Sequence, residues 1–309
     1  GSEDIYVVGD FTDYKGTGSN RMIRLNSDGT VDGTFDGGTG FNSQVLAIAP
    51  AGDGTGDVYL GGSFTTCRGV GRNRMIRLNS DGTLDGGFAL GSGFNGTVDV
   101  IQPVGDGSGD VYAGGSFGIY NGMGCNRIIR LNSDGTVDSE YAVDSMLAVD
   151  GPTGYGVLAI APVGDGTGDI YVGGAFVDYN GTMSDRITRL NSNCTADPTF
   201  AIGTGFSNFV YAITPAGDGT GDVYVGGSFT AYAGTGSNGI IRLNSDTTVD
   251  KAFAVRTGLN YPVYSSAPAG DGTGDVYVGG WFTAHNGAGS NGIARLNPDG
   301  TLESAFNVG

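Results

Sequence analysis

Lysine is almost missing from this chain of 309 residues: Lys15 and Lys251 are the only two, and with the arginines they make 15 basic residues against 32 acidic ones. The formal charge of −17 leaves no cationic footprint for a phosphate backbone, so no nucleic-acid partner is expected. An anionic membrane surface is disfavoured for the same reason. Histidine occurs once, at His285, so no Ser-His-Asp or Cys-His arrangement can be assembled with confidence and no His-rich metal site is in sight. Cysteine is as sparse. Cys67, Cys125 and Cys194 are odd in number and match no zinc spacing, which predicts free, partly buried thiols. No apolar run nears the roughly 18 residues of a membrane span, so membrane insertion is not expected. No signal peptide is visible, although the leading Gly1-Ser2 reads as a cloning scar that leaves room for a removed one.

Glycine is what the chain has in excess. Its 61 glycines compare with the roughly 22 that an average share of about 7% would give. No collagen period accompanies them, and a hydrophobic fraction of 39% is too high for disorder. Glycine must therefore punctuate many short elements. The stretch "GDGTGDVYLGG" (52–62) returns nearly unchanged at 105, 164, 217 and 270. Anchored on Asp–Val/Ile–Tyr, the repeats start at Asp4, Asp57, Asp110, Asp169, Asp222 and Asp275, in steps of 53, 53, 59, 53 and 53 residues. Such a period is that of propeller blades.

Within a repeat the signals are those of strands. "VLAIAP" (Val45–Pro50) is a short apolar run, "DVYLGGSF" is rich in β-branched and aromatic residues, and "RMIRLN" alternates. "SDG" makes a tight turn into a last short strand, "TLDGGF". No capped helix of useful length is found. The expected fold is all-β: a single domain over 1–309, a six-bladed propeller of four-stranded antiparallel blades, about 53 residues each, closed around an axis. The "VLAIAP" strand appears only five times. Either one blade is incomplete, or a neighbouring chain supplies the strand, or the sequence is cut from a longer array; the last is favoured. The Gly-Gly pair ending each second strand fits a place where backbones crowd.

"RLNSDGTVDGTF" (24–35) together with "DVYVGGSF" resembles the delta-60 repeat, a β-propeller repeat of bacterial, mostly exported or surface proteins. The likeness covers essentially the whole chain; a looser one exists to kelch repeats. It implies a propeller and an extracellular or cell-surface location, and it implies no defined activity. The fourth and fifth repeats, "RLNSNCTADPTF" and "SDTTVD", lose the turn glycine, so those two hairpins are expected to be less regular.

Each "RLN" arginine is followed eight residues later by an acid: Arg24 and Asp32, Arg77 and Asp85, Arg130 and Asp138, Arg189 and Asp197, Arg242 and Asp250, Arg295 and Glu303. Hairpin neighbours at this spacing predict a structural ion pair in every blade. The "GDGTGD" acids, Asp53 and Asp57 and their counterparts, read first as a glycine-rich hairpin, with calcium as the minority alternative. No other metal and no cofactor is expected. The recurring Phe and Tyr series read as packing between blades.

The loop after Gly-Gly-x-Phe varies from blade to blade, and its tyrosines beside amides suit a sugar site. Tyr120, Asn121, Tyr179, Asn180, Tyr232 and His285 are the contact candidates. The six-residue excess lies in 142–156, where Met146, Leu147 and Tyr155 are candidates for exposure; a tolerated insertion is favoured over a partner site. A catalytic pair of carboxylates should break the symmetry of the repeats, and only Asp144 and Asp150 clearly do; nearly all other acids sit at repeated frame positions, so no enzyme is expected. The expected function is a non-catalytic binding or adhesion module for surface glycan or an envelope protein, with a structural spacer as the alternative and a glycoside-active enzyme behind both.

Overall fold

The structure, a computed structural model, describes residues 4–139, 147–149, 155–179, 181–253 and 258–306. Every regular element among them is a β-strand. In the second repeat, Val45–Pro50, Val58–Gly62 and Met75–Leu78 form an antiparallel sheet in that order. Tyr59 faces Arg77 across it, and Leu60 faces Ile76. The middle strand is buried along its whole length, which its run of Val, Tyr and Leu without a charge permits.

The fourth strand is short. Leu78 bridges Leu84, the Asn79 N–H donates to Thr83 O at 2.8 Å, and the Asp85 N–H donates to Arg77 O at 3.1 Å. An added hairpin, Thr66–Cys67 against Val70–Gly71, stands between the second and third strands. The same sheet recurs around the middle strands Val111–Gly115, Ile170–Gly174, Val223–Gly227 and Val276–Gly280. In the first repeat Ile5–Val8 pairs with Met22–Leu25 alone. The chain thus consists of six β-propeller blades.

The strands gather into two compact units, 1–144 and 145–309, with three repeats in each. In the first unit Val45–Pro50 packs on Val98–Pro103; in the second Val157–Pro162 packs on Val210–Pro215, and that strand on Val263–Pro268. The core lies between successive blades: Tyr59, Met75 and Phe88 of the second repeat cluster with Val98, Ile101 and Phe117 of the third. Gly61 admits this contact, because a Cβ there would sit 2.6 Å from Val98 Cγ1. The three cysteines are buried.

One expectation needs correction. The turns that lost glycine are as regular as the others. Cys194 and Thr247 take φ of 68° and 70° where Gly82 takes 87°, and their N–H groups bond Asn191 O at 2.8 Å and Asn244 O at 2.9 Å. The left-handed cost is offset by those bonds and by side chains at the turn, where Asn193 Oδ1 accepts the Thr195 N–H and Thr247 Oγ1 donates to Ala201 O. In the long repeat, Leu147–Val149 pairs with Phe176–Tyr179 as an extra strand. Met146, Asp144 and Asp150 lie outside the described residues.

One irregularity positions surface side chains. Each first strand carries a β-bulge just after its opening valine, between Val45 and Ala47, Val98 and Val100, Val157 and Ala159, Val210 and Ala212, and Val263 and Ser265. The extra residue is Leu46, Asp99, Leu158, Tyr211 or Tyr264. A bulge re-aims the side chain it carries, so these positions vary freely among blades whose frame is fixed.

Candidate functional site

The repeated polar residues converge on the arginine. Arg77 Nη2 lies 2.5 Å from Asp53 Oδ2 and 2.9 Å from Asp57 Oδ2, and its Nε lies 3.3 Å from Asp85 Oδ2. Its guanidinium carbon sits over the Tyr59 ring, 5.4 Å from the centroid. Nη1 donates to the Tyr59 hydroxyl and to Ser133 O of the next blade, each at 3.2 Å. Tyr59 in turn donates to Gly109 O at 2.8 Å. Three carboxylates, a ring and one carbonyl of the next blade therefore hold one buried cation.

The clasp recurs. Arg242 meets Asp218 at 2.5 Å, Asp222 at 2.9 Å and Asp250 at 3.4 Å. Arg189 meets Asp165 at 3.0 Å, Asp169 at 2.8 Å and Asp197 at 3.2 Å. Arg130 meets Asp110 at 3.2 Å and Asp138 at 2.9 Å. In the first blade Arg24 pairs with Asp32 at 2.5 Å and reaches Asp4 at 3.8 Å.

Arg295 departs from the predicted pairing. It takes Asp271 at 2.6 Å and Asp275 at 2.7 Å, while Glu303 Oε1 accepts the Ala305 N–H at 2.8 Å. An aspartate at this position bonds the N–H two residues on with Oδ1, as Asp85 does with Gly87, and leaves Oδ2 for the arginine. The extra methylene of Glu303 displaces that second oxygen.

The "GDGTGD" turn is thereby explained. Gly52, Gly54 and Gly56 take φ of 75°, 82° and 80°, which only glycine adopts at little cost. Asp53 Oδ1 holds the Thr55 N–H at 3.0 Å, and Asp57 Oδ1 accepts the Ser80 N–H at 3.1 Å. Burial works against ionised Asp53, yet Thr55 and Arg77 together hold its carboxyl below the ordinary range. A calcium ion would have to displace an arginine from these oxygens. Among the described residues no group of three or more His, Cys, Asp or Glu side chains is placed to hold a metal.

The loop residues expected to touch a ligand turn inward. Tyr120 and Tyr179 are fully buried, and Tyr232 and His285 nearly so. Tyr120 donates to Gly135 O at 2.5 Å, Tyr232 to Thr247 O at 2.9 Å and Tyr179 to Cys194 O. Burial pushes the Tyr232 phenol up to about 12 and holds the His285 imidazole below its usual value. Asn121 is tied to the frame, with φ 49° and its Oδ1 accepting the Gly93 N–H at 3.1 Å. Asn180 lies outside the described residues. The physical reason is the added hairpin: its second residue faces the core, where Phe94 stacks on Tyr120 and Phe206 on Tyr232. These side chains clamp the last turn of their own blade.

What remains for recognition lies on or just before the bulged first strands of the second unit, and at Trp281, which follows the strand Val276–Gly280. Tyr155, Phe209, Tyr211, Tyr264 and Trp281 form a ladder with successive centroids 6.2, 6.2, 5.1 and 5.6 Å apart. Trp281, the chain's sole tryptophan, is 74% exposed, Tyr155 53% and Tyr264 40%. Such exposure of large aromatics in one contiguous strip is unusual for a surface that meets only water. Buried Arg186 places its guanidinium 5.8 Å from the Phe209 centroid and donates to Phe176 O.

Asp99 occupies the equivalent bulge in the third blade. Its Oδ2 is sealed from solvent without a hydrogen-bond partner among the described residues. Burial pushes the carboxyl up to about 7, with the Ser116 N–H drawing it slightly the other way. The unfolded carboxyl ionises near pH 4, so stability falls as pH rises from there to about 7. Asp99→Asn should flatten this dependence and raise stability at pH 8 by about 1–3 kcal/mol. Denaturant titrations at pH 5 and 8 check it; equal stability of both proteins at pH 8 would contradict the assignment.

The sequence matches the family described as "Domain of unknown function (DUF5122) beta-propeller" at residues 4–35, 54–88, 107–141, 166–200, 219–253 and 272–306. No curated protein matches the chain. Among solved structures, a protein of unknown function from Bacteroides caccae is similar at TM-score 0.50 and 13% identity, over 98% of this chain and 92% of that one. The WD40 domain of Pan2 from Neurospora crassa gives TM-score 0.45 and 10% identity, over 84% and 67%. A GH74 enzyme from Niastella koreensis gives 0.49 and 16%, over 85% and 37%. At such identities the likeness speaks to the fold alone.

Proposed function

The chain belongs to the DUF5122 β-propeller family, and on that footing we propose that it is a non-catalytic binding module, exported or carried on a bacterial surface as the likeness to delta-60 repeats implies. The observation that carries this reading is the exposed aromatic ladder from Tyr155 to Trp281. It occupies positions where the frame imposes nothing: the counterparts of Phe209 and Tyr211 are Gln44 and Leu46, Thr97 and Asp99, and Gly156 and Leu158 in other blades.

Catalysis finds little to work with. The six RLN arginines and the acids paired with them are spent on the clasps, and His285 is buried.

The reading is tested by sedimenting the protein with bacterial envelope fractions. Trp281→Ala combined with Tyr264→Ala should weaken co-sedimentation at least tenfold while leaving the melting temperature within about 2 °C, as surface changes do. A wild-type protein that never sediments with envelope would leave the spacer reading in its place.

A further inference from the structure

We infer that the aromatic ladder of the second unit binds a single, twisted chain of a neutral polysaccharide. The inference rests on the binding-module reading and names its ligand. The first support is spacing. Successive rings lie 5.1–6.2 Å apart, comparable with the length of one hexopyranose along a chain. The exposed rings of Tyr155, Tyr264 and Trp281 can each meet a sugar, stacking against the C–H groups of its apolar face. Aromatic side chains with few rotatable bonds give such contact area at low entropic cost.

The second support is orientation. Neighbouring ring planes are inclined by 61°, 82°, 51° and 84°. A flat crystalline polymer face needs coplanar rings. Rings turned this far from one another follow a chain that rotates from one sugar to the next.

Charge decides between polysaccharides. The protein carries −17, which repels an anionic chain. Arg186, the cation beside Phe209, is buried against that ring and bonded to Phe176 O. A cleft of about 210 Å³ borders the strip and is lined by Ser228, Thr230, Asn238, Asn260 and Tyr261 among others, none of its lining residues charged. It joins the ladder directly, since the Trp281 N–H donates to Pro262 O at 3.1 Å and the Ser228 N–H to Phe209 O at 3.0 Å. An uncharged cleft of amides and hydroxyls beside aromatic faces suits hydroxyl-rich, neutral ligands.

Affinity gel electrophoresis tests this with hydroxyethylcellulose, a galactomannan, a soluble mixed-linkage β-glucan and an alginate, alongside pull-down on microcrystalline cellulose. At least one neutral soluble polymer should retard the wild type. Trp281→Ala and Tyr264→Ala should each weaken that retardation at least tenfold, with unchanged melting temperature. Alginate and crystalline cellulose should not bind. No retardation by any neutral polymer, retardation of both variants equal to that of the wild type, or preference for alginate or the crystal face would overturn the inference. Envelope fractions treated with periodate or with protease separate it from the broader reading. Loss of binding after periodate supports the polysaccharide; loss only after protease overturns it and leaves a protein-binding module. Envelope binding that never depends on Trp281 removes both.

Discussion

Arg77→Ala should lower the unfolding free energy by about 3–5 kcal/mol at pH 7, because it strands Asp53, Asp57 and Asp85 around a vacated site. The loss exceeds that of a surface salt bridge because the guanidinium is buried and also spans two blades through Ser133 O. Its pH dependence carries a signature. The carboxyl of Asp53 is held below the ordinary range in the folded protein, so its contribution is present above the unfolded value near pH 4 and vanishes as pH falls through the folded one. The gap between wild type and variant should therefore narrow toward pH 3, where the stranded acids take up protons. Urea titrations at pH 7 and pH 3.5 read this directly. A pH-independent gap, or one below about 1 kcal/mol, would mean that the clasp is a surface ornament.

Gly62→Ala should cost about 3 kcal/mol or more, as overpacking against immovable backbone does. A Cβ at Gly62 would be driven into the Gln44 carbonyl oxygen of its own first strand and come within 3.0 Å of Val45 Cα. Gly61 is crowded from the other side by Val98 and Ile101 of the next blade. The two adjacent glycines thus serve different neighbours. Gly86→Ala provides the control, since a Cβ there meets nothing within 4 Å, and its stability should change by less than about 0.5 kcal/mol. Equal effects at 62 and 86 would sink the crowding argument.

The frame was legible because it is written repeatedly. The step of 53 residues, the Asp–Val–Tyr anchors and the Gly-Gly pairs report an architecture that no single copy could. The hairpin pairing of Arg77 with Asp85 was also readable, since it joins neighbouring strands. The other half of the clasp was not. Asp53 and Asp57 lie 24 and 20 residues before Arg77 and approach it only because Tyr59 and Arg77 stand opposite each other in the sheet. The signal was present in the invariance of both acids with the arginine, but a charge count without register does not connect them.

The site was misread for a related reason. The variable loop after the second strand looks solvated in sequence, yet it folds into a small hairpin that buries Tyr120 and Tyr232. Variation among blades was a sound guide applied to the wrong positions. The residue that each bulge expels follows the opening valine of "VLAIAP", and there aromatic side chains replace leucine and aspartate without disturbing the sheet. A β-bulge leaves no mark in one copy; comparing Leu46, Asp99, Leu158, Tyr211 and Tyr264 column by column exposes it.

The division between frame and ladder is tested most directly by comparing Arg242→Met with Trp281→Ala, two changes within the same unit. Denaturation midpoints and retardation by the neutral polymers are measured on the same samples, at a temperature where both variants stay folded. The account predicts a large drop in midpoint with retained retardation for Arg242→Met, and an unchanged midpoint with lost retardation for Trp281→Ala. The reverse pattern, with Trp281 holding the fold and Arg242 the ligand, would contradict it.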